Sequence, residues 1–153
     1  MGSIVNCEPT GKLSLSQHME ISPMVNRVET HVFNQQAASR KYMDEFDCRI
    51  MSWGPLAEGR NGLFTNPVLA EIGQEHGKSA AQIALRFLLQ DGVIVIPKST
   101  HAERMRENLD ILDFSLTDSQ MDCIRALDTE TTLFLDHHDG EVVKKFMSWR
   151  NPV

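Results

Sequence analysis

The chain is poor in the residues and patterns that announce many common chemistries. It has 153 residues but one tyrosine, Tyr42, and two tryptophans. Its cysteines, Cys7, Cys48 and Cys123, are odd in number and form no CxxC pair. The three read best as reduced thiols of a cytoplasmic protein. Excess basic charge is also missing. The net charge is −6 with a pI near 5.4, which argues against a general nucleic-acid or anionic-membrane binder. No apolar run approaches the roughly 20 residues of a membrane span, and the N-terminus lacks the basic start and apolar core of a signal peptide. Neither GxGxxG nor GxxxxGK(S/T) occurs, so Rossmann and P-loop modes of nucleotide binding have no support. Internal repeats, low-complexity tracts and an interdomain linker are likewise absent from the sequence. A single domain of ordinary globular composition, 41% hydrophobic and 24% charged, remains.

What is present alternates between strand and helix signals. Ser3–Cys7 reads as a short strand, and Met1–Gly2–Ser3 has the look of a cloning scar. Met24–Val28 and Arg49–Trp53 are strand candidates, the second ending at Gly54–Pro55. Between them, Asn34 is placed to cap a helix with Ala37, Ala38, Tyr42 and Phe46 on its apolar side. After a loop from Glu58 to Asn66, Pro67 opens a helix through Val68, Leu69 and Ile72, and Gly77 closes it. Ser79 with Gln82 has capping-box spacing ahead of Ile83, Ala84, Phe87 and Leu88 at helical period. Asp91–Gly92 turns into a buried strand, Val93–Ile96. Thr117 with Gln120 makes a further capping box, with Leu116 and Met121 as its hydrophobic staple. Met121, Ile124 and Leu127 then form a stripe, beside which Cys123 reads as a small core residue. A last helix is expected from about Glu141 to Trp149. Such alternation means a parallel α/β sheet or part of a barrel, with right-handed crossovers.

One stretch carries chemistry. Ile96–Pro97–Lys98–Ser99–Thr100 is followed by Arg104, Glu107 and Asn108. Thr100 with Glu103 has capping-box spacing, so a helix is expected to begin there and to aim its orphan N–H groups at the turn. A helix N-terminus favours an anion, and Lys98 and Arg104 add two positive charges. The reading is a phosphate pocket at the carboxyl end of a strand; the competing one is a pair of solvated helix-start charges. By itself Trp53 fits a core or rim aromatic better than a cofactor stacker. His31, beside Thr30, reads as a strand-end residue with satisfied hydrogen bonds. Asp136–His137–His138–Asp139 resembles a metal motif only superficially, because adjacent loop histidines point apart and no third ligand spacing recurs. No metal site is expected.

Several segments together resemble the C-terminal half of the aldo-keto reductase family. Pro23–Met24–Val25–Asn26–Arg27–Val28–Glu29 is similar to the family strand P-x-V-N-Q-I/V-E and is followed by Thr30–His31. Ser52–Trp53–Gly54–Pro55–Leu56–Ala57–Glu58–Gly59 comes next, then His76–Gly77–Lys78–Ser79 running on to Phe87. The Lys98–Asn108 stretch, Asp113–Phe114–Ser115–Leu116 and the Phe134–Asp139 tail complete the match, the tail being similar to bacterial-type members. Ile4–Val5–Asn6–Cys7–Glu8–Pro9 is a weaker echo of the preceding family strand. The match is close over residues 20–147 and weak over 1–20, so residues 1–153 are expected to form a single truncated domain.

The resemblance implies the C-terminal half of a (β/α)8 TIM barrel, about three to four parallel strands with outer helices, from a fold that needs roughly 250 residues when complete. It implies NADPH-dependent reduction of aldehydes and ketones. Lys98, Ser99, Thr100 and Arg104 would hold the 2′-phosphate of NADP, with Glu107 and Asn108 near the adenine. Trp53 would lie against the nicotinamide, Asn6 and Arg27 at the carboxamide, and Leu56–Gly59 along the pyrophosphate. Two departures stand at the nicotinamide end. Arg27 replaces the family glutamine and offers only donors, and Val5 replaces a serine. The family's catalytic Tyr, Lys, Asp and His belong to strands that align ahead of residue 1, and Tyr42, on an outer helix, cannot replace a proton donor that must reach the reacting oxygen. The expectation is an NADP-binding chain inactive alone, with a small carbonyl substrate only when the other half is supplied. The alternative is a non-catalytic NADP-binding or self-associating half-barrel, forming a homo-oligomer through its exposed sheet edges. Neither nucleic acid nor membrane is an expected partner.

Overall fold

A computed structural model of the chain describes residues 4–5, 20, 22–134, 140–141 and 144. Four strands form one sheet in sequence order: β1 (Ile4–Val5), β2 (Val25–Glu29), β3 (Arg49–Trp53) and β4 (Ile94–Val95). Every pairing is parallel, with Arg27 beside Met51 and Met51 beside Ile94 in register. Consecutive parallel neighbours require a crossover between each pair. Helices α1 (Ala37–Glu45), α2 (Pro67–His76) and α3 (Ala80–Gln90) lie in those crossovers, while α4 (Ala102–Leu109) and α5 (Asp118–Arg125) follow β4.

The helix boundaries are built locally. The Asn66 side chain accepts from the N–H groups of Val68 and Leu69, and Pro67 fills the first turn of α2, where a missing N–H costs nothing. Gly77 ends α2 at φ 64°, left-handed backbone that glycine adopts without a Cβ penalty. The Ser79–Gln82 and Thr117–Gln120 capping boxes are both formed, at the heads of α3 and α5. Leu116 and Met121 are buried around the second, as a staple requires.

One face of the sheet is closed. Asn26, Val28, Ile50 and Ser52 point toward the helices and are buried there. Ile83, Ala84, Phe87 and Leu88 of α3 meet Leu69 and Ile72 of α2 in the same core. The opposite face is open. Arg27, Met51 and Ile94 share it by register, Arg27 and Ile94 are exposed, and Met51 is half-buried. The expected Val93–Ile96 strand therefore shrinks to two residues. Val93 is buried, but Ile94 and Ile96 face solvent at the sheet edge, so the segment is not the buried strand that its apolar run suggested.

Three other expectations are corrected. Asn34 does not cap α1; it pairs with His31 in an isolated bridge, and the helix starts after Gln36 in left-handed backbone without a side-chain cap. Ala37, Ala38 and Tyr42 face outward, and Met43 is the buried residue of α1, so the face turned to the core is not the one the pattern of Ala37, Ala38 and Tyr42 marked. The Thr100–Glu103 capping box does not form: α4 begins after His101 with no side-chain cap. The chain stays extended one residue longer because the Ser99 hydroxyl accepts the His101 N–H at 3.1 Å. Cys123 is exposed, since Met121 and Ile124 take the inward positions of α5. The expected helix from Glu141 to Trp149 lies largely outside the described residues, of which 140, 141 and 144 are helical.

Candidate functional site

The turn after β4 and helix α4 close one side of a cleft of about 570 Å³. Lys98, Ser99, Thr100, Arg104, Glu107 and Asn108 all line it. Leu56, Glu58, Gly59 and Phe64 form the opposing wall, from the segment Ala57–Thr65 and the turn before it. Ser79, Ala80 and Ala81, at the head of α3, make the floor.

The local chemistry suits an anion. Lys98 and Arg104 are exposed cations, and the first-turn N–H groups of α4 have no side-chain cap to occupy them. The two alanines of the floor offer only methyl groups beside the Ser79 cap, which lets a ligand approach the start of α3 closely. Gly59 sits at φ 75° against the Phe64 ring; a Cβ there would lie 2.9 Å from that ring.

The remaining expected residues lie elsewhere. Trp53 is half-buried at the end of β3 and meets Phe134 edge-on, with ring centroids 4.9 Å apart and planes at 62°. Arg27 is exposed on the open face of the sheet, away from the cleft lining. Asn6 lies outside the described residues, as does the Asp136–Asp139 motif. Among the described residues, no three His, Cys, Asp or Glu side chains gather in a group able to hold a metal ion. No helix among them is long and apolar enough to cross a membrane.

A second polar centre lies at the carboxyl end of β2. Glu29 is buried by register beside Trp53, on the otherwise open face. His31 is fully buried, and its Nε2 is 2.9 Å from Glu29 Oε1. Its Nδ1 accepts the Phe33 N–H at 3.2 Å, so both ring nitrogens have partners, as expected for a strand-end histidine. Glu29 also accepts from the Thr132 hydroxyl and from the Leu133 N–H at 2.9 Å. Burial alone would raise the Glu29 pKa. The hydrogen bonds from His31, Thr132 and Leu133 outweigh it and hold the carboxyl below its ordinary value. These bonds pin the turn that carries Phe134 over Gly54, with the Arg60 guanidinium 4.3 Å above the ring centroid. Nothing in the local pattern around Glu29 marks that role, because Thr132 and Leu133 lie more than 100 positions away.

Gln82, singled out from the sequence only as a cap, also lies directly behind the cleft. Its side-chain amide donates to the carbonyls of Glu107 and Asp110, at 3.2 and 2.9 Å. Lys78 Nζ joins the same joint, 2.9 Å from each of the Asp110 and Asp113 carboxylates. Hydrogen bonding to Asp110 and then Asp113 raises the Lys78 pKa, and Lys78 in turn lowers that of Asp113.

Comparison with known proteins gives a consistent result. The family model described as "Aldo/keto reductase family" matches residues 6–129. Glyoxal reductase of Bacillus subtilis is 43% identical over 116 residues, which cover 76% of this chain and 41% of that protein. An aldo-keto reductase from a Medee basin deep-sea metagenome library superposes with a TM-score of 0.85 at 32% identity, covering 90% of this chain and 51% of its own. A variant of Gox0644 in complex with NADPH gives a TM-score of 0.77 at 34% identity, covering 81% of this chain and 45% of its own. The chain thus spans less than half the length of that curated relative and about half of those structures.

Proposed function

The chain belongs to the aldo/keto reductase family, and from that premise we propose that it carries the cofactor-phosphate half of an NADPH-dependent carbonyl reductase. The observation that carries this reading is the gathering of Lys98, Ser99, Thr100, Arg104, Glu107 and Asn108 in one cleft beside an uncapped helix N-terminus. Lys98 and Arg104 pair with the 2′-phosphate, Ser99 and Thr100 hydrogen-bond it, and Glu107 and Asn108 lie by the adenine. Leu56 and Gly59, across the cleft, follow the pyrophosphate. Trp53 borders the nicotinamide, and the family resemblance assigns Arg27 and Asn6 to the carboxamide. The donor set fits the phosphate end of NADPH. It fits the carboxamide poorly, because arginine supplies no acceptor for an amide NH2.

NADPH, when bound, supplies a hydride to a carbonyl carbon, and the oxygen then needs a proton. Tyr42 is exposed on α1 and does not line the cleft, so it cannot deliver that proton. The present 153 residues are therefore proposed to bind NADPH without turning over a carbonyl such as glyoxal. Activity belongs to a barrel in which the other strands are present. A cytoplasmic setting suits the free thiols of Cys48 and Cys123.

The test is a titration with NADPH and NADH followed by cofactor fluorescence. Saturable binding that prefers NADPH supports the site, and equal affinity for the two cofactors sinks it. Lys98→Ala with Arg104→Ala is expected to weaken NADPH at least about tenfold, a loss of about 1.4 kcal/mol, and to leave NADH unchanged. NADPH oxidation by the chain alone in the presence of glyoxal would contradict the inactivity.

A second reading, self-association, rests on a separate observation. The edge strand β4 exposes Ile94, the residue after it exposes Ile96, and Met105, Leu109 and Leu112 nearby border an apolar groove of about 400 Å³. An unpaired edge flanked by apolar side chains is a pairing surface. Sedimentation of a compact monomer at high concentration would remove this reading and leave the cofactor site untouched.

A further inference from the structure

Helix α4 carries half of the cleft wall yet has no core of its own. None of its residues is buried, and its N-cap residue, His101, makes no side-chain cap. An eight-residue helix without buried side chains is not held in place by packing. Its last turn is held instead by polar bonds from α3 and the loop before it.

Gln82 is central to that hold. Its side-chain oxygen accepts from the Ser79 N–H at 2.9 Å and the Ser79 hydroxyl at 3.2 Å, which completes the cap on α3. Its side-chain nitrogen donates to Asp110 O at 2.9 Å, Glu107 O at 3.2 Å and Asp110 Oδ2 at 3.3 Å. One buried amide therefore joins the floor of the cleft, Ser79 to Ala81, to the carboxyl end of the wall, while Lys78 Nζ braces Asp110 from the side. Buried amides with every polar atom used are stiff joints, because rotating them leaves a group unpaired.

We infer that Gln82 is a specificity-determining positioning residue: by clamping the carboxyl end of α4 to the head of α3, it sets where Arg104 and Asn108 stand and so confers selectivity for a 2′-phosphorylated adenosine. This rests on the cofactor reading above, which assigns Arg104 to the phosphate. Gln82 touches no ligand; it acts through α4. A capping box needs only the acceptor half of the side chain, so the donor half is free to serve as the clamp.

Gln82→Glu separates the two halves. A carboxylate still accepts from Ser79 but cannot donate to the two carbonyls, and it faces the Asp110 carboxylate. The expected result is a loss of about tenfold in affinity for adenosine 2′,5′-bisphosphate and NADPH, the equivalent of about 1.4 kcal/mol. NADH affinity falls by less, since both cofactors carry the adenine beside Asn108 but only NADPH offers Arg104 a 2′-phosphate. In the unliganded variant, the amides of α4 exchange with deuterium faster while those of α3 do not. Equal losses for NADH and NADPH, or no loss for either, overturn the inference. If the variant fails to fold, Lys78→Met carries the test: it removes both Nζ bonds to Asp110, leaves the capping box intact, and is expected to produce the same selective loss to a smaller degree. A wild-type chain that binds no 2′-phosphorylated ligand refutes the cofactor reading itself. Hydrogen exchange then decides the clamp alone, and unchanged exchange in α4 of the Gln82→Glu chain overturns it.

Discussion

The two faces of the sheet are built from the same four strands and end in opposite conditions. On the helix side, Val28 and Ile50 share one core with residues of α2 and α3, and Ile83, Phe87 and Leu88 are fully buried. On the other side, Arg27 and Ile94 meet solvent, and among the described residues cover comes at the carboxyl end, where Thr132–Phe134 caps Glu29 and borders Trp53. Strand side chains alternate faces, so each strand commits half its residues to a core that this chain completes and half to one that it does not. A (β/α)8 barrel fills its interior with such residues from all eight strands. This chain contributes about half of that fold, which explains why its open face mixes apolar side chains with an exposed arginine. The candidate cofactor cleft avoids the problem. It lies at the rim, built from loops and helix ends of the closed side, and does not need the interior to be filled.

Substitutions of one residue type on the two faces break or sharpen this contrast. Ile83→Ala is expected to cost about 2–5 kcal/mol, the range for deleting a fully buried aliphatic side chain, read by denaturant unfolding. Gly73→Ala comes next. Helix propensity alone favours alanine by about 1 kcal/mol, but a Cβ at Gly73 would lie 2.4 Å from the Lys78 carbonyl oxygen, and a backbone atom cannot move aside cheaply. The expected net loss is about 1–3 kcal/mol; a stabilised variant would show that α2 and the following loop are loosely packed.

Glu29 tests the one covered patch of the open face. Its pKa is lowered in the folded chain, so its contribution is present at neutral pH and is lost as pH falls through the folded value, below the ordinary glutamate range. Glu29→Gln is expected to cost about 1–3 kcal/mol at pH 7, as for a hydrogen-bonded buried charge. The difference from wild type should shrink on acidification. A constant difference down to acid pH would mean that the charge is not what holds Thr132–Phe134. The smallest effect belongs to Ile94→Ala, about 0.5 kcal/mol or less for an exposed position. A cost comparable to that of Ile83→Ala would show that the open face is covered in solution, in line with self-association.

The sequence was legible wherever neighbours in the chain decide the outcome. Ser79 and Gln82 lie three residues apart and bond to each other, so their box could be read directly, and so could Thr117 with Gln120. Pro67 and Gly77 bracketed α2 for the same reason. The residues Lys98 to Asn108 that line the cleft span a turn and one short helix, so sequence neighbours bring them together. Thr100 and Asn34 had the right spacing and failed. A serine hydroxyl one residue earlier captured the His101 N–H, and α1 starts only after Gln36, beyond the Asn34 backbone bridge to His31, so in both cases the helix begins later than the local pattern suggests. Cys123 and the α1 face were misread because one residue of helix phase separates core from solvent.

What the sequence determined by itself was the order of strands and helices, the caps built from residues three apart, and the composition of the cleft rim. Each depends on interactions within a few positions along the chain. Only the tertiary structure decided which face of each strand is buried, that Glu29 holds a turn more than 100 positions away, and that Gln82 reaches from its own cap to the end of α4. Those outcomes depend on which segments meet across the sheet. A side chain's partner is then set by three-dimensional proximity, and a buried polar group bonds whatever the fold brings within about 3 Å.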